Sequence, residues 1–384
     1  MKICLINHSF PPQIGGGETH MYLLATGLSE RGHKVTVITG GDSTSSEDED
    51  NRFSVIRIGS FRDFEKGKAS FRAILDDFAK AISDDTFDVV HVHNFMPGLA
   101  YASLLSLVKT KKTIFTFHST PIPEEGKIIG HFSDYSVEKA FASFIIKLPF
   151  YDTLVCPSRY YYDWALKLGA DESKTKLVYH GIDEKDFSVK KDPSWRMRYG
   201  YEEDDFIVVC PARMIRRKGI LDLVKAIQIL GDRKIKLFVP TSVQNGSAEY
   251  LTLINEYIKK NGLLDRVKIV VDKESLETMP YVLANCDVCV LPSHVEGLGI
   301  VLLEGMAAGI PVIGSNTFGI DEVIKDEVNG LLSKPMDPKN LAEKILRIRN
   351  DGALSAILVS GGKRSIRSKL SLAKQLESLE LIYQ

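Results

Sequence analysis

Short apolar runs recur along the chain, and most are followed by a stretch whose apolar positions return every three or four residues. KICLIN, HKVTVITG, FDVVHVHN, KTIFTFH, DTLVCPS and KLVYHG occupy the first half. FIVVCPAR, KIKLFVP, RVKIVV, CDVCVLPS, IPVIGS and NGLLS occupy the second. Thr19 to Arg31 carries Leu23, Leu24 and Leu28 at helical spacing, and Gly32 stands where a closing residue would. Gly219 to Leu230 carries Leu221, Val224, Ile227 and Leu230, and Gly231 follows. Strands alternating with periodic helices predict βαβ units and parallel sheets. Two such series predict an α/β chain of two Rossmann-like parallel-sheet domains facing a central cleft. The polar stretch Gly181 to Gly200, with Pro193, is the expected hinge. The predicted division is 1–190, 191–362 and a last amphipathic helix over 363–384, which begins after Gly361-Gly362 and packs back on the first domain. Asp42 to Asn51, DSTSSEDEDN, is expected to be a solvated loop.

Composition narrows the class. The chain has 384 residues, and at ~150 residues per domain that gives two to three domains. Hydrophobic residues at 44% and charged residues at 26% exclude a disordered, collagenous or disulfide-scaffold chain. With 49 Lys+Arg against 50 Asp+Glu, the net charge of −1 provides no global field for nucleic acid or an anionic membrane. Any anion site must be local. Five cysteines, an odd number among mostly apolar neighbours, suit a reducing compartment, and a cytoplasmic protein is expected. Cys286 and Cys289 have C-x-x-C spacing, but they lie in an apolar run read as a strand, where positions three apart face opposite ways; they are expected to be core thiols. The opening run Met1 to Ile6 is too short for a secretory h-region, and no stretch of ~18 apolar residues is present to span a membrane. Val137 to Phe150 is apolar with few charges and reads as an ordinary core helix, with peripheral membrane contact as the alternative.

The residues just after each strand carry the candidate chemistry, since ligands of open parallel sheets bind beyond the strands' carboxyl ends. After the first strand, Gly15-Gly16-Gly17 precede a helix and permit close backbone approach to a ligand. The spacing is not G-x-G-x-x-G, so the dinucleotide fingerprint is absent. After FIVVCPA, Arg213 and Lys218 flank a strand-to-helix turn suited to a diphosphate, though not a P-loop. In CDVCVLPSHVEGLGIVLLEGMAAGIPVIGS, Glu296 follows a strand and Gly297-Leu298-Gly299 makes a turn. Glu304 then falls among Leu302, Leu303 and Met306. A carboxylate so placed needs donors, either a pair of sugar hydroxyls or an internal cation. His91 and His93 share one strand face and could pair on a metal, but no third ligand is evident nearby and a metal site is not expected. The pair His8-Ser9 forms no legible triad.

The ordered set resembles a known family. Glu296 and Glu304, eight positions apart, resemble the E-x7-E motif of retaining glycosyltransferases with the GT-B architecture, and more narrowly the large, mostly bacterial family 4. PPQIGGGETH resembles its P-P-x-x-G-G-x-E-x-H segment, and FTFHS its strand ending in a sugar-site histidine. CPSR and VYHGID resemble its next strand ends, and PARMIRRKGILDLVKAI its G-R-L-x-x-x-K-G-x-x-x-L-I-x-A segment. GIDEVI followed by NGLL resembles its closing G-x-x-E-x-I…N-G. The resemblance covers nearly the whole chain. It implies an N-terminal acceptor-binding domain and a C-terminal nucleotide-sugar-binding domain. It implies that Arg213 and Lys218 bind the donor diphosphate, that Glu304 takes the ribose hydroxyls, and that Glu296 contacts the transferred sugar beside the Gly297, Leu298 and Gly299 amides. His118 would sit at the reacting sugar, and Gly16 and Gly17 would close the donor site. Glu322 matches a late acidic position, structural or near the donor phosphates. Pro240-Thr241-Ser242 and Val271-Asp272-Lys273 depart from glycine-containing segments of the family near the expected nucleobase pocket.

The implied reaction is transfer of a hexose or N-acetylhexosamine, from UDP-GlcNAc or UDP-glucose, to a hydroxyl of a small-molecule, glycan or glycolipid acceptor. The expected chemistry needs no metal and no cofactor, the nucleotide sugar being a co-substrate. A sugar-nucleotide 2-epimerase on the same architecture is the alternative; it would turn over donor without acceptor.

Overall fold

In a computed structural model the chain is described over residues 1–7, 9–11, 16–41, 45–49, 52–60, 70–82, 86–93, 109–116, 118, 135–241, 247–271 and 279–384. It divides into two compact units, one of Met1–His180 with Leu372–Gln384 and one of Gly181–Ser371. The expectations for His8, Gly15, Ser242, Asp272, Lys273 and the whole of the 119–134 segment lie outside the described residues.

In the first unit, β1 (Lys2–Ile6), β2 (Lys34–Gly40), β3 (Ser45–Glu49), β4 (Phe53–Ile58), β5 (Thr86–His93), β6 (Lys109–Thr116), β7 (Thr153–Cys156) and β8 (Thr175–Leu177) form one sheet in the order β3-β4-β2-β1-β5-β6-β7-β8. Every pairing is parallel except β3 with β4. β3 overturns one expectation. Its acidic sequence was read as a loop, but β4 offers an open edge, and Ser45–Glu49 pairs antiparallel with it. A charged strand at a sheet edge discourages further pairing, so composition and edge position agree.

Alternation along β1 explains the two faces of this sheet. Cys4 and Ile6 enter one core cluster, with Phe78 of α2 (Phe71–Ile82), Ile145 of α3 (Tyr135–Lys147) and Leu168 of α4 (Arg159–Leu168). Ile3 and Leu5 enter the other, with Leu24 and Leu28 of α1 (Gly16–Glu30) and Leu376 and Leu379 of the C-terminal helix α13 (Leu372–Tyr383). Each fully buried leucine contributes roughly 1.5–3 kcal/mol relative to exposure. Glu380 of α13 also holds Arg31 at 2.8 Å and His33 at 2.9 Å.

The second unit has six parallel strands, β9 (Phe206–Val209), β10 (Ile235–Thr241), β11 (Val267–Val271), β12 (Val288–Leu291), β13 (Val312–Ser315) and β14 (Leu331–Ser333), in the order β11-β10-β9-β12-β13-β14. Counted within the unit this is 3-2-1-4-5-6, the doubly wound order, and its direction reverses between β9 and β12. Its helices are α5 (Pro193–Arg198), α6 (Ile220–Leu230), α7 (Ala248–Lys260), α8 (Met279–Ala284), α9 (Ile300–Ala308), α10 (Ile320–Val323), α11 (Pro338–Asn350) and α12 (Gly352–Lys369).

Two boundaries differ from the sequence-based ones. The stretch read as a hinge belongs to the second unit. Asp192 caps α5 by accepting from the Ser194 amide, Pro193 occupies its first turn, and Trp195 is buried with its ring 5.1 Å from that of Phe238. Polar composition marked this segment as a linker; one tryptophan ties it down. The boundary at Gly362 falls inside α12. A Cβ on Gly361 would stand 1.9 Å from the Val328 carbonyl oxygen, so the glycine pair is there for close packing and does not end the helix. All five cysteines are free and buried; Cys289 lies in β12, while Cys286 precedes it.

Candidate functional site

Two loops meet at the β9/β12 switch point of the second unit. The first runs from Arg213 to Gly219, between β9 and α6. Its last part is a single tight turn, Arg216–Lys218, closed by Gly219 at φ +66. A Cβ on Gly219 would lie 2.0 Å from the Pro292 carbonyl oxygen, a distance that only glycine tolerates. The close approach joins this loop to the one after β12, where the His294 amide donates to the Arg217 carbonyl at 2.7 Å. The His294 ring pairs with Asp222 of α6 at 2.6 Å. A third loop supports the second: Thr317 donates to the His294 carbonyl at 3.0 Å.

This scaffold brings Lys218 and Glu296 into a direct ion pair, their side chains only 13% and 12% exposed. The Glu296 carboxylate also accepts from the Ser293 hydroxyl and the Gly297 amide, each at 3.2 Å. Burial by itself would raise the Glu296 carboxyl, but Lys218, Arg217 and the Gly297 amide outweigh it and hold it at about 2. The pair is ionic at neutral pH. Residues separated by 78 positions thus satisfy each other, a contact that loop spacing does not reveal.

Glu304 behaves differently. It sits half-buried on α9, and its carboxylate has no hydrogen-bond or ion-pair partner among the described residues. Burial pushes its carboxyl up to about 7. An acid in this state gains most from a ligand that brings hydrogen-bond donors. Leu298 is buried, so its side chain belongs to the core and its backbone is what remains for a ligand. Gly299 caps α9 at φ +79. Arg213 is exposed, and Glu322 is half-buried on α10. Thr241, one of the departures noted above, donates to the Ala212 carbonyl at 2.7 Å and so ties the end of β10 to the start of the Arg213 loop.

In the first unit, Gly16 and Gly17 are exposed in the first turn of α1, and a Cβ on either would meet nothing within 4 Å. His118 is half-buried just beyond β6. It belongs to a cluster that the sequence did not announce. His93 Nδ1 lies 2.9 Å from His118 Nε2, and His91 tilts against His93 with ring centroids 4.0 Å apart. His20 stacks on His180 at 3.8 Å, and the His180 ring is 5.1 Å from that of His118. His91 is held from both sides, by the Tyr383 hydroxyl at 2.7 Å and the Thr116 hydroxyl at 2.5 Å. Burial, with mutual repulsion added, holds His91, His93 and His180 well below the usual imidazole range and His20 at about 3. These four rings are neutral at pH 7. His20 and His180 lay inside the motifs PPQIGGGETH and VYHGID without a role. Only their shared position at the ends of parallel strands and on the adjoining helix could have suggested one.

The comparisons with known proteins divide as the two units do. Residues 14–186 match the family described as Glycosyltransferase Family 4, and residues 191–365 match Glycosyl transferases group 1. An uncharacterized glycosyltransferase of Methanocaldococcus jannaschii is 27% identical over 379 residues, covering 97% of this chain and 95% of that protein. The N-acetyl-alpha-D-glucosaminyl L-malate synthase of Bacillus anthracis is 24% identical over 379 residues, covering 97% and 94%. Among solved structures, sucrose-phosphate synthase from Thermosynechococcus elongatus superimposes with a TM-score of 0.84 at 21% identity, covering 100% of this chain and 98% of that one. Anabaena HepE in complex with UDP and glucose gives 0.78 at 20% identity, covering 100% and 99%.

Proposed function

We propose, for a chain that belongs to the group 1 glycosyltransferases and has their GT-B fold, that it moves a hexose or N-acetylhexosamine from a UDP-sugar to an acceptor hydroxyl with retention of configuration. The observation that carries this reading is the second unit's switch point. A buried cation–carboxylate pair stands there on the two loops, and on the adjoining helix α9 stands a half-buried carboxylate with no partner among the described residues. Arg213 and Lys218 bind the diphosphate and stabilise the charge that develops on it as it leaves, by the logic of an oxyanion hole. Lys218 then exchanges Glu296 for phosphate oxygens, which frees the Glu296 carboxylate for the sugar hydroxyls beside the Gly297 and Gly299 amides. Glu304 accepts from the ribose hydroxyls. The charge on the phosphates is met by side chains and helix amides, and the reading requires no metal and no cofactor. Transfer is front-face, with the leaving phosphate helping to deprotonate the acceptor. His118, Gly16 and Gly17 keep the roles that the family resemblance implies, His118 as a group that orients the sugar.

UDP is favoured over other carriers because the structural relative from Anabaena holds UDP and glucose. N-acetylglucosamine stands beside glucose as the sugar because the Bacillus anthracis relative is named for its transfer to malate. The acceptor is proposed only as a small-molecule, glycan or glycolipid hydroxyl.

The experiment is nucleotide binding by calorimetry, with UDP, GDP, ADP and dTDP at pH 8 and pH 6. UDP is expected to bind tightest. With the free Glu304 carboxyl at about 7, ribose binding favours its ionised form. Acidification must then work against a proton that binding expels. UDP affinity is expected to be about tenfold weaker at pH 6 than at pH 8, with proton release on binding. Glu304→Gln should bind more weakly at pH 8 and lose this component of the pH dependence; comparing the two proteins cancels the titration of UDP itself. Unchanged UDP affinity in Glu304→Gln would remove the ribose assignment.

A further inference from the structure

We propose that His93 is a positioning residue that holds His118 as a neutral ring with its proton on Nδ1. The inference rests on the reading above only where it places His118 at the transferred sugar. The hydrogen bond between His93 Nδ1 and His118 Nε2, at 2.9 Å, needs one proton between the two nitrogens. Two arrangements supply it. If His118 Nε2 carried the proton, His93 would have to keep its own on Nε2. That atom is buried and has no hydrogen-bond partner among the described residues. An unpaired buried N–H is rare and costly. If His93 Nδ1 carries the proton, the atom left without a partner is only a lone pair. The second arrangement therefore prevails. His93 donates, His118 Nε2 accepts, and the His118 proton resides on Nδ1.

The surroundings fix His93 itself. It is 2% exposed, and burial together with the neighbouring rings disfavours a second proton on it. His91 lies against its face, and His91 is clamped between Thr116 of β6 and Tyr383 of α13. The C-terminal helix grips the other side of the cluster too. Gln375 lies 3.1 Å from His20 Nε2, and its amide donates there, leaving the His20 proton on Nδ1. The last helix of the chain thus supports the rings around His118 from two directions.

The chemical consequence is specific. With Nε2 accepting from His93 and Nδ1 protonated, His118 has no free lone pair. In this state the ring acts only as a hydrogen-bond donor at Nδ1 and cannot serve as nucleophile or general base.

The test is two-bond proton–nitrogen correlation spectroscopy on nitrogen-15-labelled full-length protein, comparing wild type, His93→Asn and His93→Phe. Wild-type His118 is expected in the Nδ1–H form. Asparagine's amide reproduces the Nδ1 donor, so His93→Asn should keep both that form and most of kcat. Phenylalanine keeps the ring but not the donor. It should shift His118 toward the other tautomer and lower kcat about tenfold to a hundredfold, the scale of losing a group that orients an imidazole. The UDP Kd, set in the second unit, should not change. A wild-type His118 protonated on Nε2 overturns the proposal, as does a His93→Phe protein with unchanged tautomer and kcat. If His93→Phe does not fold, the wild-type spectrum decides alone. The spectrum also separates this inference from the proposed function, because it reads the tautomer whether or not any nucleotide sugar is turned over.

Discussion

Replacing Lys218 with alanine is expected to lower kcat/KM at least about a hundredfold, the scale of removing one donor that stabilises charge in a transition state. The variant loses the cation proposed to meet the leaving diphosphate, and it also leaves Glu296 buried with only the Ser293 hydroxyl, the Gly297 amide and the nearby Arg217 for compensation. Breaking a buried pair from one side typically costs about 3–5 kcal/mol, so thermal stability should fall as well. The double variant Lys218→Met with Glu296→Gln separates the two effects. It removes the uncompensated charge, so stability should largely return while activity does not. The readouts are steady-state kinetics and thermal unfolding of both variants. Turnover of the Lys218→Ala protein within a few-fold of wild type would show that the diphosphate is held elsewhere.

The second large effect is on acid stability. His20, His91, His93 and His180 are neutral in the folded first unit and resist protonation until well below the ordinary imidazole range. In the unfolded chain each takes a proton near pH 6.5. The unfolded state therefore binds more protons than the native state below pH 6.5, and native stability falls as pH falls. Stability contributed by these groups is fully present above 6.5 and is lost progressively toward their folded values. Each such histidine costs about 1.4 kcal/mol per pH unit in that window, so the four together approach roughly 5 kcal/mol per unit. The two tryptophans make the location measurable, because Trp164 lies on α4 of the first unit and Trp195 on α5 of the second. In Trp195→Phe protein, fluorescence of Trp164 should show a urea midpoint that drops steeply between pH 6.5 and 5. In Trp164→Phe protein, Trp195 should show a much shallower change. Equal slopes, or a flat Trp164 midpoint, would mean that the histidine cluster is hydrated or opens without unfolding.

Much of this architecture was legible in advance for identifiable reasons. The twelve apolar runs became strands, and the central ones are apolar at nearly every position because they are buried on both faces. The Arg213–Lys218 turn and the Glu296…Glu304 segment stood out as candidates because they follow β9 and β12 directly. In a doubly wound sheet the ends of those strands are where the direction of winding reverses. Three readings went astray where local chemistry was outvoted. Ser45–Glu49 looks like a loop, but its backbone found the open edge of β4. Gly181 to Gly200 looks like a linker, but Trp195 buries itself. Gly361-Gly362 looks like a helix end, but those positions face the Val328 backbone and the Met306 side chain, where only glycine fits.

The sequence alone determined the class of fold, the order of its elements, and the positions at strand ends where chemistry could be placed. These follow from periodicity and from residue type, both of which are properties of short stretches of chain. Tertiary structure alone decided which of those residues meet. It paired Lys218 with Glu296, left Glu304 without a partner among the described residues, and gathered His20, His91, His93, His118 and His180 against Tyr383 and Gln375 of the last helix. The protonation states follow from these encounters, because burial and neighbouring charge are set by groups scores to hundreds of positions away in the chain. That is why Glu296 and Glu304, eight residues apart and identical in type, rest at about 2 and about 7.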